Sequence, residues 1–280
     1  MTPMKIAVFS DVQGNLPAME AAVEHIRAWR PDMVILNGDL VNRGPSSADC
    51  LTLFDRLQNS AGWLPVRGNH EDYILHCRAH PPGSGLDAGM RRFTDWTAQQ
   101  LGDLAELLRD WPDHLCLHGP ADDWVHVTHG CLAGNRIGIS ASIPDEDLPG
   151  RIPDDVELFV VAHTHKPLER EFRGVRILNV GSVGSPFDGD PRSCYARIEH
   201  SNSGWKTELV RLEYDRERAA RDFRQTGFLE QGGPLASFIF EEWRRARLMM
   251  PLFKQRYLKP LVQGDIELGQ AVADFLKNLD

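Results

Sequence analysis

Short apolar runs alternate with helical segments in this chain, and this alternation constrains its fold more than any other feature. Residues 5–9 and 33–36 are such runs, helical spacing follows them over residues 16–29 and 48–57, and residues 64–66 supply a third run. Strands that are buried on both faces of a mainly parallel sheet are typical of this pattern. The sequence therefore predicts an α/β fold, in which ligands bind beyond the carboxyl ends of the strands.

Strand and helix patterns continue along the rest of the chain. Residues 114–117 and 124–128 predict a hairpin, and residues 158–162, 175–178, 194–198 and 205–212 predict later strands, so we expect a second sheet. Residues 90–111 have the spacing of one amphipathic helix within a helical insertion at about residues 72–112. From residue 215 the pattern is helical, and apolar side chains such as Phe238 and Trp243 predict packing on the main domain or on a second copy of the chain.

Charge and cysteine content narrow the class of protein. Of the 280 residues, 40 are acidic and 31 are basic, and the resulting formal charge of −9 argues against generic nucleic-acid binding. No apolar run approaches the length of a membrane span, and the first residues lack the pattern of a signal peptide. The five cysteines are scattered and form no CxxC pair, as in a reducing compartment. We therefore expect a cytoplasmic protein without a membrane partner.

Five polar clusters lie at the ends of predicted strands or in adjoining loops. They contain carboxylate, amide and imidazole groups but no thiolate, and their principal members are Asp11 with Gln13, Asp39, Asn69 with His70, His129, and His163 with His165. This mixed nitrogen and oxygen set suits Mn, Fe, Zn or Ni. Because the short carboxylate of Asp39 is able to bridge two ions, the clusters predict a site for two divalent metals.

In chain order the clusters read DVQGN, GDLVNRG, RGNHED, THG and AHTH, and this series resembles the calcineurin-like metallophosphoesterases. The resemblance covers roughly the first two thirds of the chain. It implies an αββα architecture, a two-sheet sandwich flanked by helices, with a metallophosphoesterase domain over residues 1–214 and a C-terminal helical extension over residues 215–280 packed on it.

The resemblance also implies roles for single residues. One metal would be held by Asp11, Gln13, Asp39 and His165, and the other by Asp39, Asn69, His129 and His163. A hydroxide that bridges the two ions would attack phosphorus, His70 would protonate the leaving oxygen, and Arg43 would bind the substrate phosphate. Manganese is favoured over iron and zinc, because Gln13 replaces the usual histidine of the family with an oxygen ligand.

These roles predict a metal-dependent phosphoesterase that acts on a phosphodiester or a nucleotide. RGNHED and the later NVGSVGSP favour, as an alternative, a symmetrical dinucleoside polyphosphate hydrolase. Gln13 leaves open an alternative of another class, a non-catalytic scaffold with a degenerate metal site. Asn42 stands where protein phosphatases have the aspartate that orients the catalytic histidine, which argues against that activity and requires another partner for His70.

Overall fold

The computed structural model describes residues 4–119, 123–201 and 204–279. One five-stranded sheet has the order β10-β9-β1-β2-β3, and its strands are β1 (Met4–Phe9), β2 (Met33–Asn37), β3 (Leu64–Val66), β9 (Ser193–Ser201) and β10 (Gly204–Leu212). The pairs β1–β2 and β2–β3 are parallel, whereas β9 is antiparallel to both β1 and β10. The carboxyl ends of the three parallel strands therefore meet at one edge.

The second sheet also has five strands, in the order β4-β5-β6-β8-β7. They are β4 (His114–His118), β5 (Trp124–Thr128), β6 (Leu158–Val161), β7 (Leu168–Phe172) and β8 (Val175–Asn179). The predicted hairpin is confirmed, because β4 and β5 pair antiparallel. The short strand β7 was not predicted; it alternates half-buried and exposed side chains at the sheet edge and lacks the continuous apolar run of the central strands.

The two sheets pack face to face, helices cover the outer face of the first sheet, and the segment between β5 and β6 covers the outer face of the second. Side chains that alternate along β1 show why: Ile6 and Val8 enter the core between the sheets, whereas Ala7 and Phe9 enter the core beneath the helices. The covering helices on this side are α1 (Leu16–Trp29) and α2 (Ser47–Ala61). This arrangement confirms the predicted two-sheet sandwich.

The predicted helix over residues 90–111 is wrong in its extent. After α3 (Asn69–Ala79), helix α4 (Leu86–Leu101) ends at Gly102, whose φ of 50° and ψ of −131° are accessible to glycine but strained for other residues. A 3₁₀ helix (Gly102–Leu108) follows. The glycine interrupts the helical hydrogen bonds while the apolar spacing continues, which explains why the pattern resembled one helix.

Five helices follow the last strand, and they share a core with α4. They are α5 (Arg216–Gln225), α6 (Phe228–Gln231), α7 (Pro234–Arg245), α8 (Met250–Gln263) and α9 (Leu268–Lys277). Phe93 and Trp96 of α4 pack in the same apolar cluster as Phe238, Trp243 and Phe275 of these helices. We call α4 to α9, without the intervening strands, the helical lobe. The predicted domain boundary at residue 214 stays a prediction.

Within the described parts of the chain, every helix is too short or too polar to span a bilayer.

Candidate active site

The predicted site residues lie beyond the carboxyl ends of β1, β2, β3, β5 and β6, on loops or, for Asn69 and His70, in the first turn of α3. These loops concentrate unusual backbone conformations. In the described ranges, seven of the ten non-glycine residues with positive φ lie there: Asp11, Gln13, Asp39, Asn42, Arg43, His163 and His165. Such conformations are strained and collect at functional sites, where the surrounding structure holds them in place. The strain therefore marks the same loops as the sequence motifs.

Asp39 is the centre of the site. Its carboxylate belongs to two groups whose ligand atoms lie within 4.8 Å of one another, one with Asp11 and His165 and one with His129 and His163. His129 Nε2 lies 3.3 Å from Asp39 Oδ2, and His165 Nε2 lies 3.1 Å from Asp11 Oδ1. Both aspartates are almost completely buried. The shared carboxylate is the arrangement expected of a residue that contacts two cations.

Two amide side chains complete the cluster. Asn69 Oδ1 lies 3.2 Å from His129 Nε2 and 2.7 Å from His163 Nδ1. Gln13 Nε2 donates a hydrogen bond of 3.2 Å to Asp39 Oδ2. All seven residues that were predicted as metal ligands are therefore brought together in the structure.

Backbone carbonyl groups orient two of the imidazoles. His129 Nδ1 lies 2.7 Å from the carbonyl oxygen of Asn37, and His165 Nδ1 lies 2.5 Å from that of Ser185. Hydrogen bonds of this kind fix the tautomer of a metal-binding histidine and leave Nε2 free for the ion. In both residues Nε2 faces a buried carboxylate.

The site carries negative charge that the neighbouring imidazoles do not fully compensate. Burial opposes protonation of His129, but the charge and hydrogen bond of Asp39, the charge of Asp11 and the carbonyl group of Asn37 together raise the pKa of His129 to about 10. Burial lowers the pKa of His163, and the charge of His129 lowers it further. The two buried carboxylates of Asp11 and Asp39 thus attract positive charge to the site. Buried charges need compensation, which a divalent cation would provide.

Two buried oxygen atoms support a cation site directly. Asp11 Oδ1 and Gln13 Oε1 are inaccessible to solvent and accept no hydrogen bond. A buried acceptor without a partner costs free energy, and native structures rarely keep one without a reason. Oxygen ligands to a metal would satisfy both atoms. The residues present therefore fit divalent cations, with Gln13 contributing an amide oxygen.

The partner of His70 is Asn42 itself, rather than the other residue that the sequence led us to expect. Asn42 Nδ2 lies 2.9 Å from His70 Nδ1 and donates a 3.1 Å hydrogen bond to Thr94 Oγ1 of the helical lobe. Since the Asn42 oxygen accepts from the backbone N–H of Arg43, its nitrogen faces the imidazole. The His70 proton consequently lies on Nε2, which is 4.0 Å from Asp39 Oδ2. Burial is the main reason that the pKa of His70 is lowered to about 4.

Glu71 holds the loops together and was missed by the sequence reasoning. Its buried carboxylate accepts 2.8 Å hydrogen bonds from the N–H groups of Asp39, Leu40 and Gly68, and one of 3.3 Å from Val41. Burial and the charge of Asp39 raise the pKa of Glu71 to about 7, whereas these N–H donors oppose the rise. The signal was a capping box, Gly-x-x-Glu, at the start of α3.

A pocket of about 410 Å³ opens beside the cluster. Its lining includes the predicted residues Asp39, Arg43, Asn69, His70, His163 and His165. Lys166, Phe187 and Leu248 also line it and were not predicted as site residues. Leu248 belongs to the helical lobe, between α7 and α8, so the lobe forms part of the wall. A larger cavity of about 540 Å³ beside Trp111 contains none of the nine predicted side chains.

Arg43 lies in this pocket with its charge already paired. Its Nη2 is 2.6 Å from Oε2 of Glu242, a completely buried residue of α7. The guanidinium also lies 5.9 Å from the centre of the Phe187 ring. Phe187 in turn stacks on His165 at a ring distance of 4.4 Å. Arg43 therefore lines the pocket, its contact with a substrate phosphate stays a prediction, and Glu242 was missed by the sequence reasoning.

Comparisons with known proteins agree with this geometry. A family model described as calcineurin-like phosphoesterase matches residues 4–178. A metallophosphoesterase structure from Sphaerobacter thermophilus superposes with a TM-score of 0.67 at 26% identity, over 87% of this chain and 99% of that one. The phosphodiesterase YfcE of Escherichia coli (strain K12) is 28% identical over 196 residues, which are 68% of this chain and 85% of its own length.

A shorter similarity involves the symmetrical bis(5'-nucleosyl)-tetraphosphatase of Thioalkalivibrio sulfidiphilus. It is 34% identical over 131 residues, and the matched segment spans 45% of this chain and 45% of that protein. The family match alone covers more than half of the chain. It includes all the predicted site residues, from Asp11 to His165. The chain therefore belongs to the calcineurin-like phosphoesterase family of hydrolases.

Proposed function

We propose that this protein is a dinuclear-metal-dependent phosphoesterase that hydrolyses a phosphodiester or nucleotide substrate. The observation that carries the proposal is the pair of three-residue groups that share Asp39 beside the pocket. The two ions would be held by Asp11, Gln13, Asp39 and His165, and by Asp39, Asn69, His129 and His163. When bound, they would activate a water molecule for attack and neutralise the charge of the phosphoryl oxygens. The oxygen of Gln13 favours Mn²⁺.

The protein side chains supply orientation and hydrogen bonding. His70 presents Nε2–H to the pocket because Asn42 occupies Nδ1, so it is placed to stabilise the leaving oxygen by a hydrogen bond as its bond to phosphorus breaks, while the proton that the leaving group takes up comes from water. Arg43, with several N–H donors, is placed to contact a phosphate oxygen from the pocket wall. The pairing of His70 with Asn42 also distinguishes this site from one in which an aspartate orients the histidine.

Two features bear on the substrate. The pocket joins polar groups to the apolar side chains of Phe187 and Leu248, which suits an organic group attached to the phosphate. The similarity to a tetraphosphatase keeps a dinucleoside polyphosphate as the second candidate.

A non-catalytic scaffold is less well supported, because such a protein has no need for buried carboxylates and imidazoles around one centre. Contact between two copies through the C-terminal helices stays a prediction.

The test is hydrolysis of bis(p-nitrophenyl) phosphate by the purified protein after chelation, with and without added Mn²⁺. Turnover of this ester should require the metal, and turnover of a dinucleotide phosphodiester, whose alkoxide leaving group needs a hydrogen-bond donor, should fall by about 10²-fold or more in His70→Ala. Glu24→Ala is the matched control, because Glu24 is exposed on α1. Metal-independent turnover, or equal turnover in His70→Ala, would refute the proposal.

A further inference from the structure

The pair Arg43–Glu242 joins the active-site loop to the helical lobe. The two residues are 199 positions apart, and their side chains are 13% and 0% exposed. Arg43 lines the pocket, whereas Glu242 lies behind it and is not among the lining residues. Glu242 therefore acts on a bound substrate only through Arg43.

The carboxylate of Glu242 is fixed from both sides. Its Oε2 accepts from Arg43, and its Oε1 accepts from the backbone N–H groups of Met249 and Met250 at 2.6 and 2.9 Å. Those N–H groups stand at the start of α8, where a negative charge is favourable. A buried carboxylate held in this way is costly to separate from its cation. The guanidinium thus keeps its position and its charge compensation while substrate binds.

This pairing decides how much net charge the pocket wall offers. A phosphodiester carries one negative charge, whereas a phosphomonoester carries about −1.5 to −2 at pH 7. An unpaired arginine would favour the more highly charged monoester, but Arg43 and Glu242 together are formally neutral. Lys166 is exposed at the rim, where solvent screens its charge. Apart from the metal ions, the wall therefore offers hydrogen-bond donors without the further positive charge that would favour a monoester over a diester.

We propose that Glu242 is a positioning residue that holds Arg43 and, by neutralising it, gives the site its preference for phosphodiesters over phosphomonoesters. The inference rests on the proposed function and adds a specificity determinant to it. It assigns to the helical lobe a role in substrate choice, although the lobe contributes none of the predicted metal ligands.

The experiment compares kcat/KM for p-nitrophenyl phosphate with kcat/KM for bis(p-nitrophenyl) phosphate at pH 8 with Mn²⁺. Glu242→Gln keeps the size of the side chain and removes its charge. The ratio of kcat/KM for the monoester to kcat/KM for the diester should then rise about tenfold, as expected for one added positive charge near the phosphate in a partly screened site. Arg43→Gln should lower the ratio. The double variant should return it to near the wild-type value, because the net charge is again zero.

Glu241→Gln is the matched control, because Glu241 precedes Glu242 on α7 and pairs with Arg244 and Arg245 on the surface. Its ratio should stay at the wild-type value. If Glu242→Gln does not fold, as judged by circular dichroism, the comparison of Arg43→Gln with the double variant decides, because the ratio should recover only when the charge of Glu242 is removed as well. An unchanged ratio in the charge variants, or an equal shift in Glu241→Gln, would overturn the inference while the diesterase activity stands. Absence of activity on both esters in the wild type would overturn the proposed function, and the inference with it.

Discussion

Removal of the Glu71 carboxylate should loosen the loops that carry the metal ligands. The side chain is fully buried, and each of its oxygens accepts two backbone N–H groups. Glu71→Ala leaves four buried donors without acceptors. Each such donor costs about 1–3 kcal/mol, and because water entering the cavity offsets part of this, we expect a loss of about 4 kcal/mol in the free energy of unfolding.

The isosteric variant Glu71→Gln gives the sharper expectation. In either orientation of the glutamine amide, its NH₂ group faces two backbone N–H groups. Two hydrogen bonds are therefore lost, and hydrogen-bond donors face each other in their place. We expect Glu71→Gln to lose about 3 kcal/mol, close to the loss in Glu71→Ala, although it conserves size and polarity. For an ordinary exposed glutamate the same change costs about 0.5 kcal/mol or less.

The assay is urea denaturation followed by circular dichroism at pH 8.5, above the pKa of about 7 of Glu71, in the presence of chelator so that metal binding does not contribute to stability. Glu24→Ala on the exposed side of α1 serves as the control and should leave the midpoint nearly unchanged. A Glu71→Gln protein that unfolds within about 0.5 kcal/mol of the wild type would refute the view that this carboxylate is the common acceptor of both loops.

Three further changes test other parts of the structure. A Cβ atom on Gly184 would lie 1.8 Å from the carbonyl oxygen of Val12. Gly184→Ala should therefore destabilise the protein by about 1–3 kcal/mol in the same denaturation assay. It should also lower the affinity for Mn²⁺, measured by titration calorimetry. Phe238 is completely buried in the helical lobe, and Phe238→Ala should cost about 3–5 kcal/mol in thermal or urea unfolding. With a thiol reagent, the exposed Cys116 should react at once, whereas Cys194, whose pKa burial raises to about 11, should react only on unfolding.

The sequence predicted the centre of the site well, because parallel strands place their ends side by side. Asp11 and Asp39 follow β1 and β2, which pair directly, so strand order alone brings the two carboxylates together. His129 and His163 follow β5 and β6, which are also parallel neighbours but belong to the other sheet. No periodicity within one chain says how two sheets face each other. That part of the prediction depended on the family resemblance.

The contacts of the helical lobe with the active-site loops could not be predicted from the sequence. Arg43 and Glu242 are distant in the chain, and their pairing depends on how α7 packs rather than on any local pattern. A signal was present, since Glu242 lies three and four residues after the buried Ile239 and Phe238 and hence on an apolar helix face. A charged residue there requires a buried partner. The sequence indicates that such a partner is needed but does not identify it.

The most direct test of the account is the number of Mn²⁺ ions bound per chain, measured by elemental analysis after equilibrium dialysis of the metal-free protein. We predict two ions for the wild type and a loss of affinity at both sites in Asp39→Asn, because both three-residue groups use this carboxylate. The exposed control Glu24→Ala should still bind two. One ion or none in the wild type, or two tightly bound ions in Asp39→Asn, would contradict a dinuclear centre built around Asp39.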